Sequence, residues 1–445
     1  MASQILLIQK TERLKTMKIK VKRKSYSAVM RDYKENKKPH RKPIRPNMFF
    51  RILMRLISIP DLLATHFKCE RVGMERLGKK EPAFFLMNHS SFIDLEIAAT
   101  LLFPRPFNIV ATTDGFIGKD WLMHRIGCIP TRKFVTDTTL VRDMLYAKKT
   151  LGDNILMYPE VGYSFDGTAT TLPATLGKCA KLIGMPLVFI RTYGAYTRDP
   201  LYNNLQRRKV KVSARMEYLF SAEQINSLPD EEIGRAIYER FDFDNFAWQR
   251  ENKVRVSEPF RADGLNRVLY KCPHCLTEGK MKGEGISLSC TACGVRYTLD
   301  EYGALVCENA EARFDHVPDW YRWERSEVRK EVESGLYGTD FPAKILAAPG
   351  TKELYDIGHG RFTHTPEGFR LVTDDGELDY TQKSTASYSV NADFNWYELG
   401  DIISIGDGEC LFYCFPEPKG DIVAKIRLAQ EEIYKLEWEK RASKE

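Results

Sequence analysis

The chain has 445 residues, 43% of them hydrophobic and 29% charged, with a formal net charge of +7. At roughly 100–200 residues per domain that length points to about two to four domains, each able to bury its own core. Residues 1–56 hold 17 Lys plus Arg against 3 Asp plus Glu, a local charge of +14 that leaves −7 for the remainder. The excess of base therefore excludes a uniformly cationic protein and marks an N-terminal arm that seeks phosphates, on lipid headgroups or nucleic acid.

Near the start, the run "ILLI" is too short for a secretory signal, and no small-residue cleavage site comes after it, so the chain is expected inside the cell. The basic arm, residues 1–47, is polar and broken by Pro39, Pro43 and Pro46, and is expected to be loosely ordered. It leads into a helix on which Phe49, Phe50, Leu53, Leu56 and Ile57 fall at helical spacing, with Arg51 and Arg55 on another face. A spanning helix needs about 20 mostly apolar residues; this run carries two arginines and is interrupted at Pro60 and Asp61. It suits a helix lying in the membrane interface, and equally an amphipathic helix packed on its own domain.

Between residues 82 and 220, apolar strand-like runs ("AFFLM", "FNIVAT", "NILMYPE", "MPLVFIRTYG") alternate with helical stretches over 140–151 and 175–183. This pattern predicts an α/β sheet-and-helix domain, with ligand sites in the turns after strand ends. Its span is taken as 48–258, and a polar segment, 257–266, separates it from two cysteine pairs. A connecting helical segment, 301–350, contains "VPDWYRWERSEVRKEV". From 351 to 445, short alternating runs with turns at "TPEG", "DDGE" and "GDGE" predict a small β-rich domain. Ile422, Ile426, Ile433 and Leu436 place one face of a closing helix on it, a pattern analogous to a pleckstrin-homology module.

His89 and Asp94 lie at the end of the first apolar run, in "NHSSFID". A neutral imidazole accepts a hydroxyl proton near neutral pH, and an aspartate on its other ring nitrogen fixes the tautomer. Ser90 or Ser91 is expected to cap the helix carrying Asp94. Taken alone, this spacing also fits a capping or satisfied loop histidine. Here, however, "NHSSFID" resembles the histidine-x4-aspartate motif of the glycerolipid acyltransferases, the group that includes the 1-acylglycerol-3-phosphate acyltransferases. "GCIPTRK", "YPEVGYSFDG" and "MPLVFIRTYG" are similar to three further blocks of that family, in the same order, over residues 48–220.

The resemblance implies transfer of an acyl group from a thioester, on coenzyme A or an acyl carrier protein, to a hydroxyl of a lysophospholipid. His89 would be the general base and Asp94 its orienting partner, with backbone amides near the His89 turn as candidate oxyanion donors. Glu160 and Gly162 would hold the acceptor, and Arg132, Lys133 and Arg191 its phosphate. Where the family has Glu-Gly-Thr-Arg, this chain has Glu160, Val161, Gly162 and Tyr163, so a usual phosphate-binding arginine is absent. Arg132 also comes five positions after Gly127, one short of the family's spacing.

"CPHC" (Cys272, Cys275) and "CTAC" (Cys290, Cys293) form two Cys-x2-Cys knuckles fourteen residues apart. That spacing predicts a closed four-cysteine ribbon over 268–300 holding a structural Zn2+. His274 is expected to be an exposed knuckle residue; His359 and His364 beside a hairpin are expected to be structural. The stretch 279–296 is only modestly basic and has no aromatic ladder, which disfavours nucleic acid as a partner. The sequence thus predicts a cytoplasmic O-acyltransferase peripheral on the inner face of a membrane. The alternatives are the same machinery acting on a non-phosphorylated or sugar acceptor, and a non-catalytic scaffold that recruits partners through its ribbon.

Overall fold

The computed structural model describes residues 19–135, 137–417 and 421–442. The first part of the basic arm and the "ILLI" run lie outside the described residues. Strand β1 (Val21–Arg23) and helix α1 (Tyr26–Glu35) precede α2 (Met48–Ala64). The α/β unit comes next: β2 (Lys68–Val72), β3 (Phe84–Met87), α3 (Ile93–Leu102), β4 (Phe107–Thr112), β5 (Cys128–Thr131), α4 (Thr138–Tyr146), β6 (Asn154–Met157), α5 (Leu176–Ile183), β7 (Leu187–Tyr193), β8 (Ser213–Phe220) and α6 (Asp230–Phe241).

The seven strands lie in the order β2-β8-β7-β3-β6-β4-β5. Every pairing is parallel except β7 with β8. Strand β3 is central and buried along its whole length, which is why it reads as an unbroken apolar run. Phe85 and Met87 face a core shared with α2 and α3; Phe84 and Leu86 face one shared with α4, α5 and α6. Where α5 and α6 cross, a Cβ on Gly177 would sit 2.0 Å from the Asp230 carbonyl oxygen, so only glycine allows that approach. The α/β class expected from the alternating pattern is the class observed.

The ribbon strands β9 (Met281–Glu284), β10 (Ser287–Cys290), β11 (Arg296–Leu299) and β12 (Leu305–Cys307) form a separate antiparallel sheet. Helix α7 (Val317–Glu333) leads to a third sheet of β13 (Thr339–Ala348), β14 (Leu354–Thr365), β15 (Gly368–Thr373), β16 (Asp379–Lys383), β17 (Asn391–Trp396), β18 (Gly400–Gly406) and β19 (Leu411–Pro416). Its order is β16-β15-β14-β13-β19-β18-β17, and α8 (Ile422–Ala442) closes the chain.

Four expectations change. The described part of the arm is ordered: β1 pairs in parallel with β14, Val29 of α1 is buried, and Arg45 meets Asp153 at 2.6 Å. Helix α2 continues through Pro60 to Ala64. The carbonyl that loses its partner there belongs to Leu56, an exposed residue, so water can satisfy it. Residues 257–266 are no loose linker, because Arg261, Ala262 and Leu265 are buried and Arg261 Nε donates to the Leu299 carbonyl at 2.7 Å. The final sheet begins at Thr339, inside the segment expected to connect, and the ribbon sheet runs on to Cys307.

Ribbon, α7, final sheet and α8 share one continuous core, which also takes in Phe165, Tyr196 and Phe246 of the α/β unit. The accessory half is thus packed directly on the loop after β6.

Candidate active site

His89 sits two residues past the end of β3, and Asp94 is the second residue of α3. The expected serine cap is not formed. Asp94 itself caps the turn, its Oδ2 accepting from the backbone N–H groups of Ser90 (2.6 Å) and Ser91 (2.9 Å). The same oxygen lies 3.4 Å from His89 Nδ1, a long contact of the kind that tightens when a substrate is bound. Thr192 Oγ1 donates to Asp94 Oδ1 at 3.2 Å, while Asn88 Oδ1 accepts from the Thr192 N–H at 2.7 Å. Asp94 is therefore fully buried and fixed from three directions.

The imidazole stacks on Tyr158 (ring centroids 4.3 Å) and leans on Tyr163 (4.5 Å). Its side chain stays 23% exposed, enough for one edge to meet a substrate. Tyr163 occupies the place where the resemblance would put an arginine, so an aromatic wall for His89 replaces a cation.

Glu160 comes just after β6, the strand beside β3, so the two turns are neighbours. Its Oε1 accepts from the His89 N–H (2.9 Å) and its Oε2 from the Thr170 N–H (3.1 Å). Burial pushes this carboxyl up to about 7, against the pull of those two amides. With both oxygens occupied, Glu160 braces the histidine turn against the loop beyond it. The amides of His89, Ser90 and Ser91 are likewise taken, so the expected oxyanion donors at that turn are already engaged. Gly162 donates to the Glu160 carbonyl at 2.7 Å and borders open space. Val161 holds a left-handed φ of 63°.

The three expected phosphate cations are placed apart from this cluster or already used. Lys133 Nζ lies 3.1 Å from Asp114 in a buried pair that also feels Asp393 of β17. Arg132 lies within electrostatic reach of Cys410 and Tyr413 in the final sheet. Arg191 points to the opposite face of β7 from Thr192, into a groove with Arg215, Glu217 and Arg240, its guanidinium 4.7 Å from the Phe243 ring. The sequence reading missed Asn88, Thr192, Tyr158 and Tyr163 as positioning groups. All four stand within the matched blocks, but their pairing depends on the fold.

Residues 68–188 match the family model described as Acyltransferase. The stretch is an acyltransferase-family domain. Among solved structures the chain is similar to the 1-acyl-sn-glycerophosphate (LPA) acyltransferase PlsC from Thermotoga maritima. That match has 15% identity over 43% of this chain and 76% of that one, with a TM-score of 0.33. No curated protein matches the chain. The matched segment of the acyltransferase domain contains His89, Asp94, Glu160 and Gly162, the four predicted residues that the fold gathers.

The four knuckle cysteines also come together: their sulfurs all lie within 4.8 Å of one another. Cys272 and Cys293 are 3.7 Å apart, as are Cys275 and Cys290. Disulfides would need about 2.05 Å, whereas four sulfurs set tetrahedrally about 2.3 Å from one ion stand about 3.8 Å apart. The cluster is shaped for a metal ion. His274 departs from expectation, being half-buried with its ring nitrogen 2.8 Å from the Tyr297 hydroxyl.

Proposed function

We propose that the protein is an O-acyltransferase that moves a fatty acyl group from a thioester to a hydroxyl of a lysophospholipid at a membrane surface. The observation that carries this reading is the His89–Asp94 pair at the open end of β3, within the acyltransferase-family domain. In it, Asp94 Oδ2 faces Nδ1 at 3.4 Å, poised to orient the ring once substrate is bound, which would leave Nε2 as the base. His89 Nε2 takes the acceptor's hydroxyl proton as the oxygen attacks the thioester carbonyl. The tetrahedral oxyanion collapses and expels the thiolate, which takes that proton back from the imidazolium. No acyl-enzyme is needed, so the cysteines keep packing and metal-binding roles. The donor is acyl-coenzyme A or an acyl carrier protein.

The membrane face is α2 and its surroundings. Phe49 is 66% and Leu63 70% exposed, and Ile52, Leu56, Phe92 and Trp121 are exposed with them. Phe92 lies three residues from His89, so the apolar patch borders the catalytic turn. Among the described residues no helix is long and apolar enough to cross a membrane, which suits a helix lying in the interface on the cytoplasmic side. The four cysteines would hold Zn2+, supplying fold stability and no chemistry. Tyr163 in place of an arginine supports a second reading, an acceptor that lacks phosphate.

A labelled acyl-donor assay over phosphorylated and neutral lysolipid acceptors tests both readings. His89→Ala is expected to lose at least ~100-fold in rate, the scale of a general base. Unchanged turnover in that variant would remove His89 as the base, and no turnover with any acceptor in the wild type would leave only the scaffold reading.

A further inference from the structure

The loop that Glu160 braces continues into a cavity of about 250 Å³ between residues 165–171 and helices α7 and α8. Four cations line it, Arg322, Arg325, Arg427 and Lys435, against two carboxylates, Asp166 and Glu431. Both carboxylates are already engaged. Asp166 accepts from the Thr168 N–H and from the Thr168 hydroxyl, which lies 2.9 Å from both carboxylate oxygens. Glu431 is clamped by Arg325 at 2.7 Å and by the Ser389 hydroxyl at 2.8 Å.

Arg427 is the exceptional member. It is 7% exposed, its guanidinium lies 4.4 Å from the Phe165 ring, and only its Nε is paired, to Glu431 at 3.3 Å. Its two terminal nitrogens have no hydrogen-bond partner among the described residues and are not sealed from solvent, so they are donors left for whatever enters the cavity. The unlinked hydroxyls of Thr171 and Tyr321 line the same space. An oxyanion with several acceptor oxygens would complete these donors, and a fork of parallel N–H groups suits phosphate above a simple halide.

We infer that this cavity, built jointly by the loop after Glu160 and the two accessory helices, binds a phosphate group of a substrate, with Arg427 as its principal donor. The inference rests on the acyl-transfer reading for its choice of substrates, which carry phosphate either on the lipid acceptor or on the donor's nucleotide and pantetheine. It gives the accessory half a role in substrate selection and supplies, from α8, the cation that the sequence lacks at Tyr163.

The test is calorimetric titration of the full chain with glycerol 3-phosphate and, separately, with 3′,5′-adenosine bisphosphate. The proteins compared are the wild type, Arg427→Met and the surface variant Arg322→Met. One of the two probes should bind, about tenfold more weakly in Arg427→Met and measurably more weakly in Arg322→Met. Which probe binds tells acceptor from donor. Affinities unchanged in both arginine variants, or no binding of either probe, overturn the phosphate site. Arginine-dependent binding by a protein with no acyltransferase activity would leave the pocket standing and sink the catalytic reading instead.

Discussion

At the scale of single residues, the His89 turn is held by groups whose backbone and side-chain demands conflict in one place. Val161 carries a φ of 63°, a region that a β-branched side chain enters only at a cost of about 1–3 kcal/mol. The family pattern has glycine at this position, so the backbone shape is kept while the residue that fits it is lost. Val161→Gly gains relief of strain and loses about 0.5–1 kcal/mol through the freer unfolded chain. The expected net effect is stabilisation of about 1 kcal/mol, seen as a higher Tm in thermal unfolding; a variant that melts at or below the wild type would show that no strain is stored there. His89 and Asp94 were legible in the sequence because they lie five positions apart on one strand–turn–helix. The occupation of Glu160 was not, since its two partners are 71 and 10 residues away and nothing local names them.

At the scale of elements, period and turn chemistry revealed most strands and helices, and α2 shows where such reading stops. Its apolar spacing was visible, but whether that face meets a membrane or the protein depends on which neighbours cover it. Only Phe50, Ser58 and Leu62 are buried, so the greater part of the stripe is free. Replacing Leu56 and Leu63 together by aspartate removes two exposed anchors without opening the core. Co-sedimentation with anionic phospholipid vesicles should fall by at least about tenfold. Unchanged sedimentation with an unchanged fold would move the membrane face elsewhere.

Strand β14 offers a second test, of pH. His364 is fully buried, takes a hydrogen bond from the Tyr337 hydroxyl (2.7 Å), gives one to Gln430 (3.2 Å) and stacks on Phe369. Burial pushes its pKa down to about 3, so the native state holds it neutral while the unfolded chain protonates near 6.5. Its stabilisation is present above about 6.5 and is lost as pH falls toward 3, with a slope of up to about 1.4 kcal/mol per pH unit. Denaturant titrations at several pH values should therefore show a shallower acid loss in His364→Gln than in the wild type, and parallel curves would contradict a neutral buried imidazole.

At the scale of the whole molecule, the sequence divided what the fold unites. The boundaries near 260 and 350 tracked polar composition, yet Arg261 is buried against the Leu299 carbonyl, and the Thr351 hydroxyl donates to Asp120 of the α/β unit at 2.9 Å. Lys133 pairs with Asp114 beneath β17, and the Tyr397 hydroxyl donates to the Asp114 carbonyl at 3.0 Å. The second of these spans 283 residues and leaves no periodic trace. The ribbon belongs to the same continuous core, which gives metal removal a reach beyond the ribbon itself. Trp320 of α7 is fully buried, its ring centroid 5.2 Å from that of Tyr297 on β11, and its Nε1 donates to the carbonyl of Lys271, next to Cys272. Four thiolates left without an ion repel one another and cannot hold both knuckles closed, so β11 and then Trp320 should lose their packing. One equivalent of zinc per chain is expected. Its removal by a strong chelator, or Cys290→Ser, should lower the Tm by several degrees and shift the intrinsic fluorescence to the red, with zinc but not magnesium reversing the chelator's effect. A chain that purifies without metal and shows neither change would mean that the shared core alone holds the ribbon closed.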